Sequence, residues 1–353
     1  MAINLHSKYA KQIQEKFTTE SLIAGKLSTA YSFSGVKTVN ISTPLTVPMV
    51  DYTRSGANRY GTPTEMEDVV QEMTLTQDKS FSLTIDKGNN ADQNGIKSAG
   101  RMLKLQIAER AVPTMDKYCF SKLAQKAGKV VGNATALSKS NICDRISDGT
   151  LYMDDHEVPG DGRTLFVSNT AYKFLKHSDE FLGIDELGKE ALSRGMVGRY
   201  DNMDVVKVPA GRWTENVNFM IVYKNSATAP VKLNDTKLHQ DPPGISGNLL
   251  EGRQYYDLFV FGAKADGVYV EVDTGSGKGT VCADPTIAIS TNSATLTSSG
   301  NTIQYTLDGS DPRYSKTAQV YTAPVAMEAG QTIRAYAYKD GAYPSGVAEE
   351  TNS

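Results

Sequence analysis

The feature that most constrains the fold is a small, polar, glycine-rich segment late in the chain, DTGSGKGT at residues 273–280. Such a composition is typical of flexible linkers, so the sequence predicts a linker over residues 273–282 that divides the chain into two parts. A phosphate-binding loop is the alternative, because the segment contains a Gly-Lys pair. That loop requires Ser or Thr directly after Gly-Lys, and Gly279 stands there instead, so the linker is favoured.

The composition is that of an ordinary globular protein. Of its 353 residues, 39% are hydrophobic and 22% are charged, which fits one large domain and one smaller one. The N-terminus has no apolar signal-peptide core and no apolar run is long enough to span a bilayer, so we expect neither export nor a membrane anchor. Cys119, Cys143 and Cys282 are far apart and odd in number, which predicts free thiols of a reducing cytoplasm.

Charge is distributed unevenly. Residues 284–353 contain four basic and seven acidic side chains and so hold the entire net charge of −3. The first 60 residues contain seven basic side chains against three acidic ones. This basic arm is the part of the first domain best suited to touching phosphate, although a net charge this small does not by itself indicate a nucleic-acid surface.

The second part has the alternation of half-buried strands. TIQYTLD at residues 302–308 and TIRAYAYKDG at residues 332–341 both place apolar side chains at every second position. Asp308-Gly309 and Asp311-Pro312 are typical of turns. Residues 283–353 are therefore predicted to form an immunoglobulin-like sandwich.

The stretch TIQYTLDGSDPRYSKTAQVY at residues 302–321 resembles the small β-sandwich module at the C-terminus of chitobiases and related hexosaminidases. In those enzymes the module accompanies the catalytic barrel, so the resemblance implies no catalysis. It leaves glycan contact open through the flat, amphipathic rings of Tyr336, Tyr338 and Tyr343. Packing within the sandwich is the alternative role of these tyrosines.

The first part contains a strongly alternating segment, EMTLTQDKSFSLTID, at residues 72–86. It predicts a hairpin with a turn at Gln77-Asp78-Lys79, with Met73 and Leu75 on one strand and Phe81 and Leu83 on the other. A two-stranded hairpin is marginal by itself in water, so these four side chains are expected to pack against a neighbouring subunit.

A long helix is predicted to follow this hairpin. Apolar residues recur at helical spacing between about Gln93 and Ala127, in a stripe that includes Ala99, Leu103, Ile107 and Ala111. Pro113 should bend or divide that helix, because proline has no N–H and its ring collides with the preceding turn.

The order of these parts over residues 1–272 resembles a tailed-phage major capsid protein of the Hong Kong 97-type fold. TLTQDKSFSLTID before a long helix resembles that family's extended loop and spine helix. RGMVGRYDNMDVVKVPAGR at 194–212 resembles a turn and strand of its axial domain. The segment from Ala227 to Val272 resembles the strands that close its peripheral domain.

This resemblance implies an α+β fold with an arm over 1–50, an extended loop over 51–90, and a spine helix with peripheral and axial domains over 91–272, followed by the all-β sandwich. It implies a subunit that assembles with itself into pentamers and hexamers of an icosahedral shell around phage DNA, made in the bacterial cytoplasm and retained in the virion. Head-to-tail contacts of this kind close into rings when the rotation allows. No enzymatic activity, cofactor or metal is implied.

Further expectations concern the partners of such a subunit. No long scaffolding segment precedes the hairpin, so a separate scaffolding protein is expected beside a portal. The basic arm, with Lys8, Lys11 and Lys16, would face the genome, whereas the acidic module would lie outside and be dispensable for the shell. Two alternatives remain: the shell protein of a bacterial nanocompartment, which encloses an enzyme, and a carbohydrate-binding surface protein.

The best enzymatic candidate in the chain is DDHE, Asp154 to Glu157. Three carboxylates and a histidine could bind a metal ion or act as acid and base. Consecutive residues rarely converge on one ion, however, and the Pro-Gly-Asp-Gly that follows predicts a surface loop. His6, His177 and His239 are isolated, and Trp213 is expected to be a packing residue.

Overall fold

The computed structural model describes residues 20–352 except 32, 34–35, 48, 64, 67, 93–97 and 179–195. His6 and the basic residues assigned to the genome, Lys8, Lys11 and Lys16, lie outside the described residues. The strands are β1 Thr38–Pro44, β2 Asp68–Thr74, β3 Gln77–Asp86, β4 Lys129–Asn133, β5 Arg163–Ser168, β6 Met196–Tyr200, β7 Met203–Val208, β8 Val217–Tyr223, β9 Ala227–Thr228, β10 Val231–Gln240, β11 Gly247–Tyr256, β12 Phe259–Val260, β13 Val268–Asp273, β14 Thr286–Ser290, β15 Ser293–Thr297, β16 Thr302–Thr306, β17 Gln319–Val320, β18 Val325–Ala326, β19 Thr332–Tyr338 and β20 Ala348–Thr351. The helices are α1 Lys87–Asp92, α2 Ala99–Gln106, a π-helical segment Ile107–Ala111, α3 Val112–Gln125, α4 Ile142–Asp155 and α5 Asn169–Lys176, with 3-10 helices at Lys224–Ser226 and Gly262–Gly267.

A mixed six-stranded sheet in the order β4-β13-β8-β5-β7-β6 forms the centre of the first part. Neighbouring residues of a strand point to opposite faces, so a strand that is apolar throughout is buried on both sides. Phe166 of β5 packs against Phe120 of α3, with ring centroids 5.2 Å apart. Leu165 faces the other way, into the cluster that contains Ile146 of α4 and Leu175 of α5.

The predicted long helix is confirmed from Ala99 to Gln125, as α2, the π-helical segment and α3 in direct succession. The break lies where Pro113 predicts it. The Val112 N–H donates to the Ile107 carbonyl, five residues back, and this wider turn immediately precedes the proline.

The predicted hairpin of residues 72–86 is wrong in its pairing. β2 pairs antiparallel with β1, whereas β3 pairs with β11, and Gln77–Lys79 form ladder pairs with Tyr256–Gln254 where a turn was expected. Alternation reveals strands but not their partners. The structure therefore places the extended hairpin at β1–β2, with its connection over residues 45–67, and not over 51–90.

The sheet β10-β11-β3 is antiparallel and built from three strands of ten residues each. It pairs two strands from near the end of the first part, β10 and β11, with the much earlier strand β3. The Gly252 backbone in β11 lies beneath the Phe81 ring of β3, and a Cβ at Gly252 would lie 2.3 Å from that ring. Only glycine leaves room for this side chain to lie flat across the sheet.

The predicted C-terminal sandwich is confirmed. It consists of the sheets β14-β15-β18 and β17-β16-β19-β20. The alternating residues of TIQYT and TIRAYAY point between them, and Ile303, Ile333, Ala335 and Ala337 are buried in one cluster with Leu296.

The predicted flexible linker over 273–282 is a hydrogen-bonded turn. Asp273, at the end of β13, accepts hydrogen bonds from the Gly275 N–H at its side chain (3.0 Å) and from the Gly279 N–H at its carbonyl (3.1 Å). The Lys278 ammonium pairs with the same carboxylate at 2.5 Å. The next element is strand β14, whereas a phosphate-binding loop leads into a helix, so the structure does not favour that alternative. A glycine-rich composition also suits tight turns, and Asp273 supplies the acceptors that order this one.

Candidate assembly site: the projecting hairpin and the C-terminal module

Exposed large apolar side chains are concentrated in the connection between the two strands of the β1–β2 hairpin. Its connection between residues 45 and 67 exposes a set of apolar and aromatic side chains: Val47 61%, Met49 99%, Val50 59%, Tyr52 51%, Tyr60 87% and Met66 68%. Contiguous exposed apolar surface is unusual in a monomer and typically marks an interaction site. We call residues 45–67 the hairpin tip.

The described residues of the hairpin tip have a defined local structure. The Thr53 N–H donates to the Arg59 carbonyl at 3.1 Å, and the rings of Tyr52 and Tyr60 meet edge to face at 4.9 Å. Gly61 adopts φ +89, and a Cβ there would lie 2.7 Å from the Val50 side chain. The tip therefore presents its aromatic pair in a set geometry, which lowers the entropy cost of binding a partner.

The base of the hairpin is anchored to the strand that follows β11. The Gln71 side chain donates to the Val260 carbonyl at 2.8 Å and accepts from the Gly262 N–H at 2.9 Å. Met73 and Leu75 are fully buried in a cluster with Phe33 and Phe261. The prediction that Met73 and Leu75 pack against a neighbouring subunit is therefore wrong, because this chain already covers both.

Phe81 and Leu83 are half-buried on β3, and their inter-subunit role stays a prediction. Beside Phe81 a cavity of about 200 Å³ opens between β3 and the helix, lined by Gln106, Arg110 and Tyr256 among others. The helix residues that border this cavity are themselves half-exposed or exposed. The surface of β3 and the helix, which we call the β3–helix groove, can accept an apolar side chain.

The three tyrosines proposed for glycan contact do not form a shared platform. Tyr343 is 8% exposed, its ring belongs to the core cluster of the first part, and its hydroxyl donates to the Glu215 carbonyl at 2.7 Å. Tyr336 is 7% exposed and donates to the Gln304 side chain at 2.8 Å; burial raises its pKa to about 12. Tyr338 is half-exposed and stacks on Tyr336 at 5.6 Å. Packing, the alternative, accounts for Tyr336 and Tyr343.

Besides Tyr343, two residues that join the two parts of the chain are ones that the sequence did not single out. Arg313 and Tyr314 follow Asp311-Pro312, which the sequence assigned to a turn. The Arg313 guanidinium donates to the Ala127 and Gly128 carbonyls, and the Tyr314 hydroxyl donates to the Lys126 carbonyl. The sequence offers one signal for this contact, the arginine next to an aromatic residue at Arg313-Tyr314. Neither alternation nor residue spacing predicts the contact itself.

The described residues contain no group of three or more His, Cys, Asp or Glu side chains placed to hold a metal ion. Within DDHE, Asp154 pairs with Arg163 at 2.6 Å and His156 packs on Tyr152, with ring centroids 4.1 Å apart. The segment is the end of α4 followed by its cap, not a loop alone. Trp213 is a packing residue as predicted, 5.2 Å from Phe120 between ring centroids.

Two further findings concern chemistry and membranes. The thiol of Cys119 is buried, and burial raises its pKa, so it stays protonated and unreactive. Among the described residues, no helix combines the length and the apolar character needed to cross a bilayer.

Solved structures show what this arrangement is similar to. A chain of Mycobacterium phage Che8 is 17% identical, covers 78% of this chain and 100% of its own, and superposes with a TM-score of 0.61. A chain of the bacteriophage PhiM1 mature capsid is 13% identical over 77% of this chain and 92% of its own, at 0.57. A chain of the capsid of cyanophage P-SCSP1u is 12% identical, covers 77% of this chain and 93% of its own, and superposes with a TM-score of 0.58. The chain has the phage capsid fold.

The predicted α+β capsid fold is thereby confirmed. The C-terminal sandwich gives a separate match, because residues 294–351 match the family described as Fn3 associated. No curated protein matches the chain by sequence. The capsid fold is therefore recognised through its architecture, at identities too low for sequence comparison to find it.

Proposed function

We propose that this chain is a major capsid protein that assembles with itself into the icosahedral shell of a phage virion. The observation that carries the proposal is the match to capsid subunits over 92% to 100% of their own lengths. The exposed apolar hairpin tip supports it independently, since a side chain as exposed as Met49 is unfavourable in water unless a partner covers it. The role is structural, with no catalytic step.

The hairpin tip of one subunit is proposed to pack on the β3–helix groove of its neighbour. This retains Phe81 and Leu83 as inter-subunit residues and replaces Met73 and Leu75 with the exposed residues of the tip. A tip on one surface and a groove on another make a head-to-tail contact, which closes into pentamers and hexamers when the rotation permits.

Other partners remain part of the same proposal: a separate scaffolding protein, a portal, and non-specific contact of the basic arm with packaged DNA. A nanocompartment shell is the second candidate, but the structures matched include a mature phage capsid, which favours the virion. The carbohydrate-binding surface protein loses support, because two of its three tyrosines are buried.

The test is a charge placed on the tip. Tyr60→Asp would put a carboxylate where a neighbour is expected, at a cost of about 2 kcal/mol or more for each desolvated contact. We expect folded subunits that do not form stable shells in sedimentation and electron microscopy. Leu151→Asp is the matched control, because Leu151 is also apolar and 58% exposed but lies on α4, away from the tip. Normal shells from Tyr60→Asp would refute the role of the tip.

A further inference from the structure

The C-terminal module touches the first part of the chain through Tyr343, through the ion pair of Lys129 with Asp284, and through one short segment, Asp311–Lys316. That segment reaches three separate elements. These are the end of α3, the β2 arm of the projecting hairpin, and the backbone just after β12. We call this segment the clamp. It lies in the middle of the stretch that resembles the hexosaminidase module, yet its contacts are made outside the sandwich.

At the end of α3 the clamp bonds the carbonyl of the C-cap residue Lys126 and the carbonyls of Ala127 and Gly128, in the turn between α3 and β4. The last carbonyls of any helix have no intrahelical partner, and the helix dipole makes that end negative. The Arg313 guanidinium donates to the Ala127 carbonyl at 2.8 Å and to that of Gly128. Asp311 holds the same guanidinium from behind, at 3.0 Å and 2.6 Å. The Arg313 side chain is only 4% exposed, so it is a desolvated and fully paired cation.

On the hairpin side the clamp pairs with strand β2. Ser315 forms an antiparallel bridge with Gln71, and the Lys316 ammonium pairs with the Glu72 carboxylate at 2.8 Å. That ammonium lowers the pKa of Glu72. Gln71 is also the residue that anchors the hairpin base, so the clamp and the anchor act on the same position of β2.

The ring of Tyr314 fills the space between these two contacts. A Cβ at Gly262 would lie 3.3 Å from Tyr314, so the ring rests directly on the backbone that bonds Gln71. The Tyr314 hydroxyl donates to Lys126 at the helix end, and burial lowers the pKa of the Lys126 ammonium. One side chain thus touches both the end of α3 and the support of the hairpin.

We propose that the C-terminal module is a clamp that sets the direction of the projecting hairpin relative to the α3 helix. Arg313 is the positioning residue, since it fixes the clamp to the helix end, and Tyr314 and Lys316 carry that position to β2. The docking stands on intrachain contacts alone. Its consequence, that the module determines how subunits meet, rests on the proposed function.

Docking is tested by cutting the turn. A protease site is built into residues 275–279 of the full-length chain, and the cleaved protein is run on a sizing column. The module should stay with the first part after cleavage of the otherwise unaltered chain. In Arg313→Gln a larger fraction of it should separate, with Tyr343 and the ion pair of Lys129 and Asp284 as the remaining contacts. Arg334→Gln is the matched control, because Arg334 bonds Gly309 and Glu349 within the module, and its module should stay bound. Release of the module from the chain with Arg313 intact would overturn the clamp.

Positioning is tested by hydrogen exchange on the uncleaved chain. Arg313→Gln should speed exchange of the β2 amides at least tenfold while those of β5 and β8 keep their protection, which separates a loosened hairpin from general unfolding. If Arg313→Gln does not fold, Lys316→Ala removes the hairpin contact alone and should speed β2 exchange by a smaller factor. Unchanged β2 exchange in a folded variant would refute the positioning role. Because no shell is needed, a failure of the capsid proposal would leave these results as they are.

Discussion

Asp116 of α3 and Arg212, in the turn after β7, form an ion pair of 2.8 Å in which each side chain is less than a tenth exposed. The same carboxylate accepts hydrogen bonds from the Ser21 hydroxyl at 2.7 Å and the Leu22 N–H at 3.1 Å. The pair therefore fastens the first described residues of the chain to the long helix and to the central sheet.

Arg212→Met should destabilise the subunit strongly. It leaves Asp116 buried without its cation, and breaking a buried pair in this way costs about 3–5 kcal/mol. Denaturant unfolding measures the loss. The double variant with Asp116→Leu should recover part of it, since no unpaired charge remains. A loss below about 1 kcal/mol in the single variant would mean that the pair is not buried as described.

The pair of Arg145 and Glu271 should give the subunit a measurable pH dependence. Burial raises the pKa of Glu271 above its usual 4.5, and Arg145, at 2.7 Å, opposes that rise. Arg145→Leu removes the opposing charge and raises the pKa further. A folded-state pKa above the unfolded value means that stability falls as pH rises through the interval between them.

The deficit of Arg145→Leu relative to the unaltered chain should therefore be largest at neutral pH, about 3–5 kcal/mol, and shrink toward pH 5. Unfolding free energies measured at several pH values give the slope. Adding Glu271→Gln should flatten it. A deficit that grows as pH falls would contradict the assignment to Glu271.

Truncation after Val272 should damage the subunit itself, contrary to the expectation that the module is dispensable. It removes Tyr343 from the core cluster that Val270 and Phe166 share, and it removes the donors Arg313 and Tyr314 from the carbonyls of residues 126–128, just after α3. Loss of one such aromatic ring alone costs about 2 kcal/mol. We expect a lower melting temperature and aggregation; a truncated chain as stable as the full one would refute this.

Much of the fold could be predicted from the sequence, for local reasons. Apolar spacing located the long helix, Pro113 located its break, and alternation located the C-terminal strands. The partner of β2 could not be predicted, because its alternation fits pairing with β3 as well as with β1. Nor could the clamp, since Arg313 meets carbonyls of residues almost two hundred positions earlier, and no local pattern carries that information.

The candidate site shows the same division. The sequence predicted inter-subunit contacts for four apolar side chains between residues 73 and 83. In the folded chain two of these four, Met73 and Leu75, are buried. The more exposed tip, with Met49 and Tyr60, lies among prolines and glycines that form no periodic pattern. Whether a side chain is buried depends on the fold of the whole chain. Met73 is buried and Met49 is exposed, although the two residues have the same side chain.

Electron cryomicroscopy of particles formed by the full-length chain, produced with and without a scaffolding protein, tests the capsid proposal most directly. We predict closed icosahedral shells of pentamers and hexamers, with residues 45–67 of each subunit resting on the β3–helix groove of a neighbour and the module docked at the end of α3. A chain that stays monomeric under these conditions, or shells in which the hairpin tip touches no neighbour, would contradict it.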